Sequence, residues 1–296
     1  MRPQYDLLAI DLDGTLLNPS GRVSQANRRA VRAAADAGIA VVICTGRSAS
    51  ETLPLVGDLG LTAPMVVSGG AMLADPATGR TLDRRTLDRG LTHEAIAFLA
   101  DHGHAALILK DHHAAGYDYL VVDQRGPSGL DESTRWWFSF IGVSVRFATD
   151  PSLDEHPADT LRVGMYRANE PVEDLARLAR HTFAPRAAVQ HFRSAALPDE
   201  CRRLGMHTVH IVELFHAHAD KWLAVLRLCA RLGLDPARTA AIGDQANDLS
   251  MITHAGLGIA MDNAEPAVAA AAQRRTRSNA ADGVAHAIDQ ILSGAW

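Results

Sequence analysis

The stretch "AIDLDGTLLN", Ala9 to Asn18, decides how this chain reads. An apolar run, "YDLLAI", ends in two aspartates two residues apart, Asp11 and Asp13, followed by a glycine turn. Alternation along an extended segment points Asp11 and Asp13 to one side and Leu12 to the core. One carboxylate of such a pair can attack an electrophile while its neighbour handles a proton.

Working outward, the first third alternates strand and helix signals. "SQANRRAVRAAADAG" is helical, with Ser24 as cap and Gly38 as stop, and "IAVVICT" is a buried strand. "SETLPLVGDLG" supplies a second helix, "APMVVSGG" a third strand and "DPATGRTLD" a turn or hairpin. The last third resumes this rhythm, with helices "DKWLAVLRLCARLGL", "NDLSMITHAG", "AEPAVAAAAQ" and "DGVAHAIDQIL" and strands "TAAIGD" and "LGIAM". Such βαβ alternation implies a parallel sheet. Between Arg84 and Leu214 the texture changes to strand-like runs with fewer helices, so an α+β module is expected there, inserted into a split α/β core. The expected division is 1–83 and 215–296 for the core and 84–214 for the insertion.

Composition sets the class. At 296 residues, 47% hydrophobic and 21% charged, the chain can bury a full core. A formal net charge of −5 gives no electrostatic reason to expect a nucleic acid or an anionic membrane as partner. Cys44, Cys201 and Cys229 are far apart and outside any C-x-x-C pattern, which fits a reducing cytoplasm. The apolar start is too short for a signal peptide, no window is long enough for a membrane span, and the mature chain is expected to begin at or near Met1.

Open α/β sheets bind ligands at the carboxyl ends of their strands. Three polar sets fall there, Asp11-Leu12-Asp13-Gly14-Thr15, Thr45-Gly46-Arg47 and Gly243-Asp244-Gln245-Ala246-Asn247-Asp248, and a fourth, Asp220-Lys221, opens the first helix beyond the inserted module. Asp11, Asp13, Asp244 and Asp248 converging on one edge would repel one another and call for a cation. Oxygen-only ligation selects a hard ion, Mg²⁺ being the usual one beside a phosphate. Lys221, Thr45 and the N–H groups near Gly46 would hold the remaining phosphate oxygens.

In these motifs the chain resembles the haloacid dehalogenase (HAD) superfamily and, within it, the Cof-type phosphatases of class IIB. "DLDGTLL", "CTGR", Lys221, and "GDQANDLSMI" with its sequel "AGLGIAMDNA" and "DGVA" follow the family's motifs in order. The resemblance implies a Rossmann-like core with a mobile α/β cap between the second and third motifs. It implies Asp11 as the nucleophile that forms an aspartyl-phosphate, and Asp13 as acid and then base. Asp11, the backbone carbonyl of Asp13, and Asp244 would ligate Mg²⁺ with Asp248 close behind. Thr45 and Asn247 would bond the phosphate, and Lys221 would neutralise charge. The chain departs from the family at Gly69, where an Asn is usual, and in "FHAHADKW" before the lysine.

Plainer roles compete with several of these. Thr45 could cap the helix after Gly46, and Arg47 could be a solvated first-turn residue or grip a substrate oxygen. His216 and His218, preceded by His191, His207 and His210, invite a transition-metal reading, yet H-x-H with no further spaced ligand is a weak signal among 14 histidines. A substrate or core–cap contact is the favoured reading of that segment. "RWWFSF", Arg135 to Phe140, is expected to form the cap's own small core, with sugar or base stacking or a homodimer contact as alternatives. His112, His113, Tyr117, Arg162, Tyr166, His191 and Arg193 are further cap candidates. The expected function is Mg²⁺-dependent hydrolysis of a small soluble phosphomonoester, a sugar phosphate first. A phosphomutase or phosphotransferase, or a catalytically silent phosphometabolite sensor, is the alternative.

Overall fold

The structure is a computed structural model that describes residues 3–194 and 199–296. The expected chain start at Met1 lies outside the described residues.

The chain divides into two compact units, one formed by Met1–Asp83 with Asp220–Trp296, the other by Arg84–Ala219. The first segment runs β1 (Leu7–Ile10), α1 (Gln25–Asp36), β2 (Ala40–Ile43), α2 (Ala49–Leu59), β3 (Met65–Val67), β4 (Met72–Ala74) and β5 (Thr81–Arg84). The inserted unit contributes α3 (Arg89–Asp101), β6 (Ala106–Lys110), α4 (His112–Ala115), β7 (Tyr119–Val122), α5 (Glu132–Ile141), β8 (Val145–Ala148), β9 (Thr160–Ala168), α6 (Glu173–Phe183), β10 (Ala187–Ser194), α7 (Asp199–Arg203) and β11 (Val209–His216). The return segment is α8 (Lys221–Leu232), β12 (Thr239–Gly243), α9 (Leu249–His254), β13 (Leu257–Ala260), α10 (Pro266–Ala271), β14 (Arg274–Arg275) and α11 (Gly283–Leu292).

The core unit is built on a five-stranded parallel sheet in the order β14-β13-β12-β1-β2. Apart from the exposed edge strand β14, its strands are short and mostly apolar and buried on both faces, as a sheet covered by helices on its faces requires. Leu7, Ala9, Val42 and Ala241 pack with Trp222, Val225 and Leu228 of α8 and Met251 and Ile252 of α9. A parallel bridge from Cys44 to Val66 carries the sheet toward β3, which belongs with β4 and β5 to a small three-stranded sheet. β1 lies between β2 and β12, so the first aspartates emerge at the middle of the sheet.

The inserted unit holds a six-stranded sheet, β10-β11-β9-β6-β7-β8, antiparallel apart from the β7–β8 pair. Alternate residues Val163, Met165, Val212 and Leu214 face a core made with Leu91, Ala95 and Leu99 of α3 and Leu175, Ala179 and Phe183 of α6. This alternation is that of an antiparallel sheet with one helix-covered face. The second crossover falls after Ala219 rather than after Leu214, because Phe215 and His216 are still paired in β11 with β9 and β10. "RWWFSF" does not collapse into one core: Phe138 is buried against Tyr119, while Trp136 stacks on Phe140, which is 59% exposed. Arg162 and Tyr117 are buried within the unit, Arg162 being paired with Glu213 at 3.0 Å.

Among the described residues no helix is long and apolar enough to cross a membrane. The three cysteines are buried, and none is in a disulfide among the described residues.

Candidate active site

Asp11 is the first residue past β1 and stays anchored to the sheet, its N–H donating to the carbonyl of Ile242 at 3.0 Å. The backbone then opens into a wide turn, with Leu16 N–H donating to the Asp11 carbonyl and Leu17 N–H to that of Leu12. Leu12 is fully buried, as expected, but the turn separates the two aspartates. Asp11 is 5% exposed, whereas the Asp13 side chain is 53% exposed. Gly14 makes the turn possible: its φ is +84°, and a Cβ there would collide with the Asp244 carboxylate.

Lys221 is placed with unusual care by its surroundings. Asp220 caps α8, its Oδ1 accepting from the N–H groups of Trp222 and Leu223, and its Oδ2 accepts the Ser250 hydroxyl at 2.6 Å. The Asp220 carbonyl packs directly on Gly70, whose φ of +93° and missing side chain allow the approach. Lys221 Nζ thereby reaches Asp11 Oδ1 and Asp248 Oδ1, each at 2.6 Å. The second oxygen of Asp248 accepts the N–H groups of Asp244 and Gln245, at 2.9 and 3.1 Å. Asp248 is therefore committed to orienting the lysine and the loop. Asp244 accepts the Thr15 hydroxyl at 2.8 Å and receives Asn263 Nδ2 at 3.4 Å, the same amide bonding the Gly14 carbonyl at 2.9 Å.

Oxygens of Asp11, Asp244 and Asp248 lie within 4.8 Å of one another, all buried. One ammonium faces three carboxylates. Burial, then the charge of Asp248, pushes Asp11 well above the usual carboxylate range despite Lys221. Burial and Asp248 likewise push Asp244 up to about 7, against the Thr15 hydrogen bond. Burial alone would lower Lys221, but Asp11 and Asp248 more than reverse this and hold it charged. The excess negative charge, the oxygen-only donor set and the buried, unpartnered Asn247 Oδ1 fit a hard divalent cation.

Asp13 does not join this cluster, contrary to the convergence expected of its carboxylate. Its carboxylate is gripped by Arg47, Nε to Oδ2 at 2.9 Å and Nη2 to Oδ1 at 2.6 Å. Arg47 is thus neither solvated nor in the first turn of a helix. The cap of α2 is Ser48, in a reciprocal box with Glu51, and not Thr45. Thr45 is buried, its hydroxyl accepting Arg47 N–H at 3.1 Å across the half-buried Gly46. Beside this loop, Ser68, Gly69 and Gly70 all take positive φ, and the buried Ser68 hydroxyl has no partner. His218 N–H donates to His216 Nδ1 at 3.0 Å in a local turn, which occupies one of the two ring nitrogens of His216. The sequence places Thr15 and Asp220 in the polar sets but announces no positioning role for them, and it does not single out Asn263, inside the sequel of the last motif.

The family model of haloacid dehalogenase-like hydrolases matches residues 8–288, and the chain belongs to that family. The 5-amino-6-(5-phospho-D-ribitylamino)uracil phosphatase YwtE of Bacillus subtilis is 31% identical, over 98% of this chain and 99% of that one. Phosphatase YwpJ of the same organism is 29% identical over 97% and 99%. A solved HAD subclass IIB sugar phosphatase superposes with a TM-score of 0.76 at 18% identity, covering 97% of this chain and 99% of that chain, a likeness of fold. This protein is a phosphatase of the Cof type, with a Rossmann-like parallel core and an inserted α+β unit.

Proposed function

We propose that the protein hydrolyses the phosphate monoester of a small soluble sugar or polyol through a phosphorylated Asp11, with Mg²⁺ as cofactor, in the cytoplasm. The observation that carries this reading is the buried Asp11–Lys221–Asp248 array beside Asp244. Lys221 occupies Oδ1 of Asp11 and leaves Oδ2 to attack phosphorus, while its charge offsets that of an incoming phosphate. Asp11, the Asp13 carbonyl and Asp244 would hold the cation, which supplies Lewis-acid stabilisation of the phosphoryl oxygens when bound. Thr45, buried just past β2, and Asn247, next to Asp248 in the chain, are suited to bonding phosphate oxygens.

Asp13 is assigned the proton. Arg47 orients its carboxylate by both oxygens, and one of them has to be let go, with the other still held, for Asp13 to carry a proton to the leaving alcohol. Returned to the carboxylate form, it would activate water against phospho-Asp11. The substrate class draws on the relatives, of which one acts on a phosphorylated ribitylamino compound and one is a sugar phosphatase.

A panel of sugar and polyol phosphates assayed with Mg²⁺ tests this directly. Free phosphate should appear, EDTA should stop it, and borohydride added during turnover should reduce one acyl-phosphate at residue 11 to homoserine. Asp11→Asn should abolish both signals, and more than about 1% residual turnover would refute the nucleophile. Transfer to a second hydroxyl instead of water would make it a phosphotransferase.

A further inference from the structure

The inserted unit brings together three side chains that the phosphatase chemistry does not use. His191 lies on β10 and His210 on β11. The register pairs His191 with Val212 and Arg193 with His210, so the two imidazoles are diagonal neighbours on one face. That face carries Val212 and Leu214 and is covered by α6. Glu173 is the first residue of α6, and its carboxylate arrives at the same point. His191 Nε2 and His210 Nδ1 are 3.3 Å apart, and Glu173 Oε1 is 3.8 Å from His210 Nδ1. One donor atom from each residue falls within 4.8 Å of the others.

We propose that Glu173, His191 and His210 form a zinc-type transition-metal site within the inserted unit. Two nitrogens bound to one tetrahedral ion at ~2.0–2.1 Å stand ~3.3–3.4 Å apart, which is the separation here. It is longer than the ~2.7–3.2 Å usual for an N–H donor, so the imidazoles do not form a tight hydrogen bond with each other. The exposed Glu173 carboxylate stands 3.8 Å from His210 Nδ1, about half an ångström beyond the donor separation on one tetrahedral ion, and within 4.8 Å of the His191 donor.

Two imidazoles with one carboxylate favour Zn²⁺, and by the same chemistry Co²⁺, over Mg²⁺. The donors come from two paired strands and the start of a helix, elements rigid enough to hold a geometry. Three protein ligands leave a fourth position to water. Bound there, the ion would tie the start of α6 to the β10–β11 pair.

Co²⁺ added to the untagged, full-length protein in excess Mg²⁺ is the test, with Mg²⁺ filling the oxygen-only cluster. One equivalent should give the strong visible absorption of four-coordinate cobalt, and Zn²⁺ should abolish it. Glu173→Gln and His191→Gln should each weaken Zn²⁺ binding at least tenfold with unchanged circular dichroism. Both positions are more accessible than the buried His210, so the variants should fold. No visible band at one equivalent, or the same band and affinity in the Glu173→Gln/His191→Gln double variant, would overturn the site.

Discussion

A single buried carboxylate carries much of the pH behaviour expected here. Asp244 is pushed up to about 7, mainly by burial, whereas in the unfolded chain it titrates near ~3.9. Between those values the folded, metal-free protein holds a proton that the unfolded chain has lost. Its stability therefore falls as pH rises from about 4 through about 7. A cation takes the proton's place, so Mg²⁺ affinity should rise over the same window, with proton release on binding at pH 6. Calorimetric titration in buffers of different ionisation enthalpy measures this, and an affinity independent of pH would contradict it. Arg47 makes a second residue-level prediction. Arg47→Ala should lower kcat/KM for an alkyl phosphate by ~10- to 100-fold, part of what general acid catalysis supplies. An activated aryl phosphate, whose leaving group needs no proton, should lose less. Equal losses would show that Arg47 acts on something other than Asp13.

At the scale of elements, the site depends on turns more than on strands. Gly14→Ala would meet both a positive φ, costing about 1–2 kcal/mol, and the Asp244 carboxylate. The variant should fold with modestly lowered Tm yet lose most Mg²⁺-dependent turnover, because the collision displaces a group proposed to hold the metal. A variant with normal Mg²⁺ affinity and turnover would contradict this reading of the turn. The order of strands and helices was legible in the sequence because short apolar runs end on polar residues, Ile10 before Asp11 and Gly243 before Asp244. The wide turn after Asp11 was not, since strand alternation carried one residue too far predicts Asp13 beside Asp11. Ser48 as the cap of α2 was visible as a box with Glu51, but the polar Thr45 drew the reading first. The Asp13–Arg47 pair joins residues 34 apart through two loops, and no local pattern announces it.

On the scale of the molecule, two separate hydrophobic cores stand behind the two units. Arg227 of α8 bonds Asp83 at 2.6 Å, so the two ends of the interrupted core chain are tied within the core unit itself. Joining Asp83 to Asp220 through a short Gly-Ser linker should leave a core unit that unfolds cooperatively, and 84–219 alone should do the same. Differential scanning calorimetry of the two fragments is the measurement, and the absence of a cooperative transition in either would show that its core is not self-sufficient.

The interruption also sets an order of events during synthesis. β1 and β2 leave the ribosome first, but β12, which must lie against the other edge of β1, follows the whole inserted unit. At roughly 5–20 residues per second the open edge of β1 waits on the order of ten seconds or more. Residues 84–219 are contiguous and can fold in that interval. The nucleophile is thus translated early and acquires its lysine only when the nascent chain is three-quarters complete, so the polypeptide carries no working site until it is nearly released.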